Sequence, residues 1–222
     1  PKIVIEWLKV IKTKREVNKV LKKIGIPRAL LYYYYYPAWK TFFEKLNFEV
    51  CLSPPTNKNI MDDGIKYTVD DLCLPFKAYF GHVKWLRNKV DYLFIPKLIS
   101  FDKSNRFCPK FMGLPDMIKS VFKVEELPEI LAPIIKQKGS LLPFHNSAKE
   151  IGEKLNKSKL EIEKAYFAAF KKHKVFKKRE IEGNLSEKAM KLVENNENNI
   201  EVNNLENSEK LKILLLGHNY II

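Results

Sequence analysis

Cysteine, glycine and arginine are all scarce in this chain of 222 residues, and each scarcity removes a class of protein. Three cysteines cannot build a disulfide framework; they fit a reduced, cytoplasmic compartment, where a thiol is either buried filler or a metal or redox group. Eight glycines leave no dinucleotide fingerprint, and neither a P-loop nor an H-E-x-x-H helix nor a Ser/His/Asp nucleophile set is present. No apolar stretch reaches the roughly 20 residues that cross a bilayer, so no membrane partner is expected. Ile3–Leu8 is short, broken by Glu6 and followed by no small-residue cleavage site, so a secretory leader is not expected either. What is plentiful is apolar and aromatic: 45% hydrophobic residues, with 14 Phe, 10 Tyr and 3 Trp, are enough to bury a sizeable core and exclude a chain that is disordered throughout.

The net charge of +14 comes almost wholly from lysine, since arginine stands only at positions 15, 28, 87, 106 and 179. Such an excess suits nucleic acid, an anionic cofactor or an acidic protein surface. Dedicated nucleic-acid readers rely on arginine for bidentate contacts and stacking, so nucleic acid is not the expected partner. A basic, non-catalytic scaffold or a nucleic-acid-associated protein stays as the rival reading, to be recognised by a salt-dependent shift with DNA.

Along the chain the pattern alternates. Residues 1–23 read as an N-terminal arm. Ile24–Ala29 reads as the end of a buried strand, broken by Gly25 and Pro27. Pro37–Leu46 carries Trp39, Phe42, Phe43 and Leu46 at helical spacing with Asn47 as its C-terminal cap, and Phe48–Leu52 is a second strand. Thr56 or Asn57 can cap a helix to about Thr68, and Phe76–Asn88 is another. Val90–Pro96, apolar throughout its middle, is the best strand of a sheet covered on both faces; Pro115–Phe122 is a short helix and Glu129–Ile135 a fourth strand. The alternation predicts an α/β, Rossmann-like parallel sheet lobe over residues 24–140, with a site at the C-terminal ends of its strands. Residues 141–181 form a helical segment, 182–209 an Asn/Glu-rich linker or insertion with little to bury, and 210–222 open on the strand Leu211–Leu216, as at the start of a second, truncated α/β domain.

Strand-end loops are where such a sheet meets a ligand. Gly25, Pro27 and Arg28 shape the first of them, and Ser53, Thr56 and Asn57 line the second; all six are candidate cofactor-binding residues, and no catalytic residue can be named. Cys73, in CLP, and Cys108, in CP, lie 35 residues apart, so no single-loop metal motif is formed. Their adjacent prolines fix the loops, which leaves two readings, a cluster assembled from separate loops or buried structural thiols. Cys51 sits between Val50 and Leu52 in a strand and reads as core. Five consecutive tyrosines, Tyr32–Tyr36, cannot all be buried, because any regular element turns some of them outward. His82 reads as a packing histidine on a helix, while His145 and His173, in the polar second half, read as surface.

Between residues 24 and 118 five blocks occur in order: IGIPRALLYYYYYPAWKTFF, LSPPTNKNIMDDG, DLCLPFKAYFGHV, VDYLFIPKLIS and CPKFMGLPDMI. Together they resemble the activase-related family of acyl-CoA dehydratase-like proteins, which are similar to the iron–sulfur components of 2-hydroxyacyl-CoA dehydratases. The Gly217–His218 pair matches the start of that family's second α/β domain.

The resemblance implies an oxygen-sensitive, iron–sulfur protein whose cluster, 4Fe–4S or larger, is held by thiolates between α/β lobes. Carried over by motif, Cys73 and Cys108 become the metal ligands of this lobe, and a further ligand would come from residues outside this chain. Neighbouring Lys77 and Lys110 would offset the charge of a thiolate-ligated cluster. The partner implied is an ATP-dependent activase that injects one low-potential electron, and the substrate a CoA thioester whose carbonyl is reduced to a ketyl radical that expels a β-hydroxyl. The expected function is therefore low-potential electron transfer or reductive dehydration on an acyl-CoA-like substrate; whether the chain is itself an enzyme, and whether it forms an oligomer, the residues leave open. A zinc site at the same cysteines would give a colourless protein.

Overall fold

The computed structural model describes residues 21–100, 106–136 and 144–195. The readings made for the N-terminal arm before residue 21 and for the strand Leu211–Leu216 lie outside the described residues.

Four strands form one parallel sheet: β1 (Lys23–Ile26), β2 (Glu49–Leu52), β3 (Tyr92–Phe94) and β5 (Glu129–Leu131), in the order β2-β1-β3-β5. The lobe is α/β and Rossmann-like, as the alternation of patterns predicts. The single strand expected over Glu129–Ile135 is in fact two. β3 and β5 each stop at a proline, Pro96 and Pro133, and then resume as β4 (Lys97–Ser100) and β6 (Ile134–Lys136), a second parallel pair. Proline has no N–H for the ladder, so the sheet breaks there. The Lys97 N–H still donates to the Pro133 carbonyl at 2.9 Å, which carries the pairing across the break.

Seven helices accompany the sheet among the described residues. Helix α1 (Tyr32–Lys45) starts at the tyrosines and not at Pro37, which lies inside it; Tyr32, Tyr35 and Tyr36 are buried and Tyr33 and Tyr34 half-buried, as a helical turn demands. Asn47, at φ 62, takes the left-handed position just past the helix end, which asparagine tolerates. Trp39 anchors the core, with ring centroids 4.7 Å from Phe94, 5.3 Å from Phe144 and 5.7 Å from Phe42. Each such ring, fully buried, contributes about 1.5–3 kcal/mol.

Helices α2 (Lys58–Lys66) and α3 (Leu74–Leu86) pack against each other through Gly64 and Gly81, where backbones approach too closely for any side chain. Helix α4 (Pro109–Val121) begins six residues before Pro115, which it carries in its interior, and packs on β4. Helices α5 (His145–Lys154) and α6 (Lys159–Ile181) follow, the second opened by a reciprocal cap between Ser158 and Glu161. Within the Asn/Glu-rich stretch, residues 186–194 form α7 (Ser186–Glu194), which buries Ala189, Met190, Leu192 and Val193 and packs on α1 and α6. Averaged over the whole stretch, the composition hides this one amphipathic turn pattern. His173, expected at the surface, is buried and stacks on Tyr35 with ring centroids 5.9 Å apart. His145 is half-buried and bonded to Glu163 at 2.9 Å.

Candidate functional site

From β1 the chain goes to β2 on one side, then back across to β3 on the other. The switch point, where an open parallel sheet leaves a crevice, therefore lies between the C-terminal ends of β1 and β3. After Ile26 the backbone turns through Pro27 into a tight bend at Leu30, whose φ of 55° is strained for a residue with a branched side chain.

The loops after β1 and β2 are tied together: the Arg28 N–H donates to Ser53 Oγ at 2.8 Å. The Arg28 guanidinium reaches outward to Glu187 at 2.8 Å and lies over the Tyr32 ring. Thr56 Oγ1 stands 3.0 Å from His82 Nε2, and Asn57 accepts from the Ile60 N–H at 3.1 Å, capping α2. Gly25 lies within β1 and not in the loop; a methyl there would meet Val90 and Leu93 at 3.0 and 3.2 Å. So Ser53 is bonded to Arg28, Thr56 to His82 and Asn57 to the first turn of α2, and the visible duties of all three are structural. His82 is wholly buried, and burial together with the Arg28 charge holds its pKa down to about 4, so it is neutral at pH 7.

Cys73 and Cys108 occupy equivalent places. Each is the residue before a helix, of α3 and α4 respectively, each is exposed, and each is followed by a proline in the first turn. The two helix starts lie side by side: the rings of Phe76 and Phe111 meet edge to face at 5.0 Å, and Lys110 Nζ donates to Cys73 Sγ at 3.3 Å. Of the two lysines expected near the thiols, Lys110 is thus in contact with one. Two exposed thiols at adjacent helix N-termini fit part of a thiolate ligand set, since both backbone dipoles favour negative charge there. No group of three or more His, Cys, Asp or Glu able to hold a metal ion occurs among the described residues. Cys51 stands apart, half-buried in β2, where burial pushes its thiol pKa up.

Behind these helix starts lies a cavity of about 50 Å³ at the switch point, bounded by Ile26 of β1 and Pro27 just after it, Phe94 of β3 and Pro96 beyond its end, and Tyr79 and Phe111 from α3 and α4. The sequence reading missed this cavity; it set Lys110 beside the thiols but did not show that its partner is Cys73, on the other helix start. One signal for a shared local structure was available: both cysteines are followed within four residues by a Pro, a Phe and a Lys, as CLPFK and CPKF. The cavity had no such signal, because its lining comes from residues scattered between positions 26 and 114.

Among the described residues no helix is long and apolar enough to cross a membrane. The family described as CoA enzyme activase uncharacterised domain (DUF2229) matches residues 23–222. No curated protein and no solved structure matches the chain. The chain belongs to that family, and the resemblance carried by the five blocks between residues 24 and 118 is borne out.

Proposed function

We propose that the paired starts of α3 and α4 hold two thiolate ligands of an iron–sulfur cluster, Cys73 and Cys108. In this reading the lobe serves low-potential electron transfer or reductive chemistry on an acyl-CoA-like substrate, with an ATP-dependent activase as its electron-donating partner. The observation that carries the reading is the convergence of two exposed cysteines, 35 residues apart in sequence, at adjacent proline-opened helix starts, with Lys110 of the second reaching the thiol at the first.

The surrounding residues suit the task. Pro75 and Pro109 occupy first-turn positions whose N–H has no partner within a helix, and their fixed φ holds each thiol's backbone in place. Lys110 places a cation against Cys73, and the positive ends of both helices add to it, so negative charge on the sulfurs is offset without other groups having to move. A bound cluster would supply one-electron transfer. The chain's own part is to hold two thiolates, compensate their charge and present the Phe76–Phe111 wall that shields the side facing the switch-point cavity.

The test is anaerobic preparation of the full-length protein, followed by visible absorption, iron and acid-labile sulfide on one sample. Brown protein with matched iron and sulfide is expected, with iron lost in Cys73→Ala and in Cys108→Ala but kept in Cys51→Ala. Full iron in either of the first two variants, or a colourless protein that resists reconstitution, would sink the reading; stoichiometric zinc would replace it.

A further inference from the structure

We propose that the solvent-facing side of α6 is a docking surface for residues 196–209 of the same chain, with the glutamates of that segment against the lysines of the helix. The surface is made by helical spacing. Ile162, Ala165, Ala169 and Phe176 turn one side of α6 into the core. At about 100° per residue, Leu160, Lys164, Phe167, Lys171, Val175 and Lys178 share the opposite side. All six are exposed, Leu160 at 74%, Phe167 at 54% and Val175 at 39%. Single exposed apolar side chains are ordinary, but three interleaved with three lysines on one stripe mark an interaction surface.

The charge on this side is not neutralised by the helix itself. The three glutamates of α6 are engaged elsewhere: Glu161 with Ser158, Glu163 with His145 and Glu180 with Lys177. Lys178 meets Glu182 only at 3.9 Å, and Lys164 and Lys171 make no ion pair among the described residues.

The stretch of chain that follows α7 has the complementary chemistry. Residues 196–209 hold Glu197, Glu201, Glu206 and Glu209, no lysine or arginine, and the apolar Ile200, Val202 and Leu205. They also start in the right place. Helix α7 ends at Glu194, and Lys172 Nζ donates to the Val193 carbonyl at 2.6 Å, so the chain leaves α7 against the middle of α6. Lys171 is the next residue along, and Lys164 lies about 12 Å up the helix, while the segment extended would reach about 45 Å. Each exposed ion pair is weak on its own. Attachment nevertheless gives the segment an effective concentration of about a millimolar, which a free acidic partner does not have. Neither the cysteines nor a cluster enters this inference.

The test is zero-length carbodiimide cross-linking of the full-length protein at low salt, on an equal mixture of unlabelled and nitrogen-15-labelled chains, mapped by mass spectrometry. Links from Glu197, Glu201, Glu206 or Glu209 to Lys164, Lys171 or Lys178 are expected within chains of one label, falling several-fold in about 0.5 M sodium chloride. Changing all four glutamates to glutamine should raise the acetylation rates of Lys164 and Lys171 about threefold or more. The rate at Lys119, exposed on α4, should not change. Lys164→Glu with Lys171→Glu, both at exposed positions, should abolish their links; adding Glu197→Lys and Glu201→Lys should restore them with acid and amine exchanged. Links between a labelled and an unlabelled chain would give the surface to a second copy. Protection of Lys164 and Lys171 that arises only on adding single-stranded DNA or anionic vesicles would give it to a polyanion. Either result, an absence of links from the segment to α6, or equal acetylation in parent and four-glutamine variant would overturn the proposal.

Discussion

Gly81 of α3 is where a single methyl group tests the packing that positions the candidate site. A Cβ built there falls 1.9 Å from the carbonyl oxygen of Ile60 in α2, and the reciprocal Cβ on Gly64 falls 2.0 Å from the carbonyl oxygen of Lys77. Carbon and carbonyl oxygen rest at about 3.3 Å or more, so the helices must part by over ~1 Å. The obstacle is backbone and cannot rotate aside. Alanine returns ~0.5–1 kcal/mol of helix propensity, while overpacking costs ~1–3 kcal/mol or more, so Gly81→Ala should destabilise by roughly 1–2 kcal/mol. At ~2–4 °C per kcal/mol for a chain of this size, Tm should fall by roughly 5 °C in a thermal melt followed by circular dichroism. The control is Gly113→Ala in α4, where a Cβ meets nothing within 4 Å. The same substitution there should raise Tm by about 2–4 °C. Gly81→Ala at or above the parent's stability, or Gly113→Ala falling with it, would refute the packing argument. Cys73 is the residue that precedes α3, so on the proposed cluster assignment Gly81→Ala should lower iron retention as well as Tm.

Three further outcomes are expected. Burial, with Arg28 near one and Lys177 near the other, holds His82 and His173 to pKa values of about 4. Their unfolded values lie near ~6.5, so the unfolded chain takes up protons first, and stability should fall as pH drops from about 6.5 to 4, by at most ~1.4 kcal/mol per unit for each histidine. Urea midpoints at pH 7 and pH 5 measure this, and His173→Phe should flatten the slope; a flat parent curve over that window would count against the two buried neutral histidines. Ser158→Ala removes the hydroxyl that accepts from the Glu161 N–H, and should lower stability by about 1 kcal/mol with no effect on iron content. Met190→Ala should cost about 2 kcal/mol or more if α7 is packed as described, and nothing if residues 186–194 were a solvated linker.

The parallel α/β lobe was legible because its signals are local. Apolar strands such as Tyr92–Phe94 and helical spacing through Trp39, Phe42 and Phe43 each lie within one element. Where a proline entered, locality misled: Pro37 and Pro115 read as helix starts, yet each is held inside a helix that begins five or six residues earlier. Tertiary packing supplies the burial that outweighs the lost backbone bond. His173 read as surface for the same reason, since its neighbours in sequence are lysines while its neighbours in space are Tyr35 and Phe144.

The sequence by itself determined the element types, the Cys–Pro pairs and the family blocks, because each is a pattern of adjacent residues. Only the tertiary structure decided that α3 and α4 begin side by side, that Lys110 reaches Cys73, and that Trp39 and Tyr35 share a cavity with Phe94 and Phe111. Those facts depend on strand order and on where the chain crosses between β1 and β3. Strand order is set by the summed burial of many distant side chains, and no short window of residues encodes that sum.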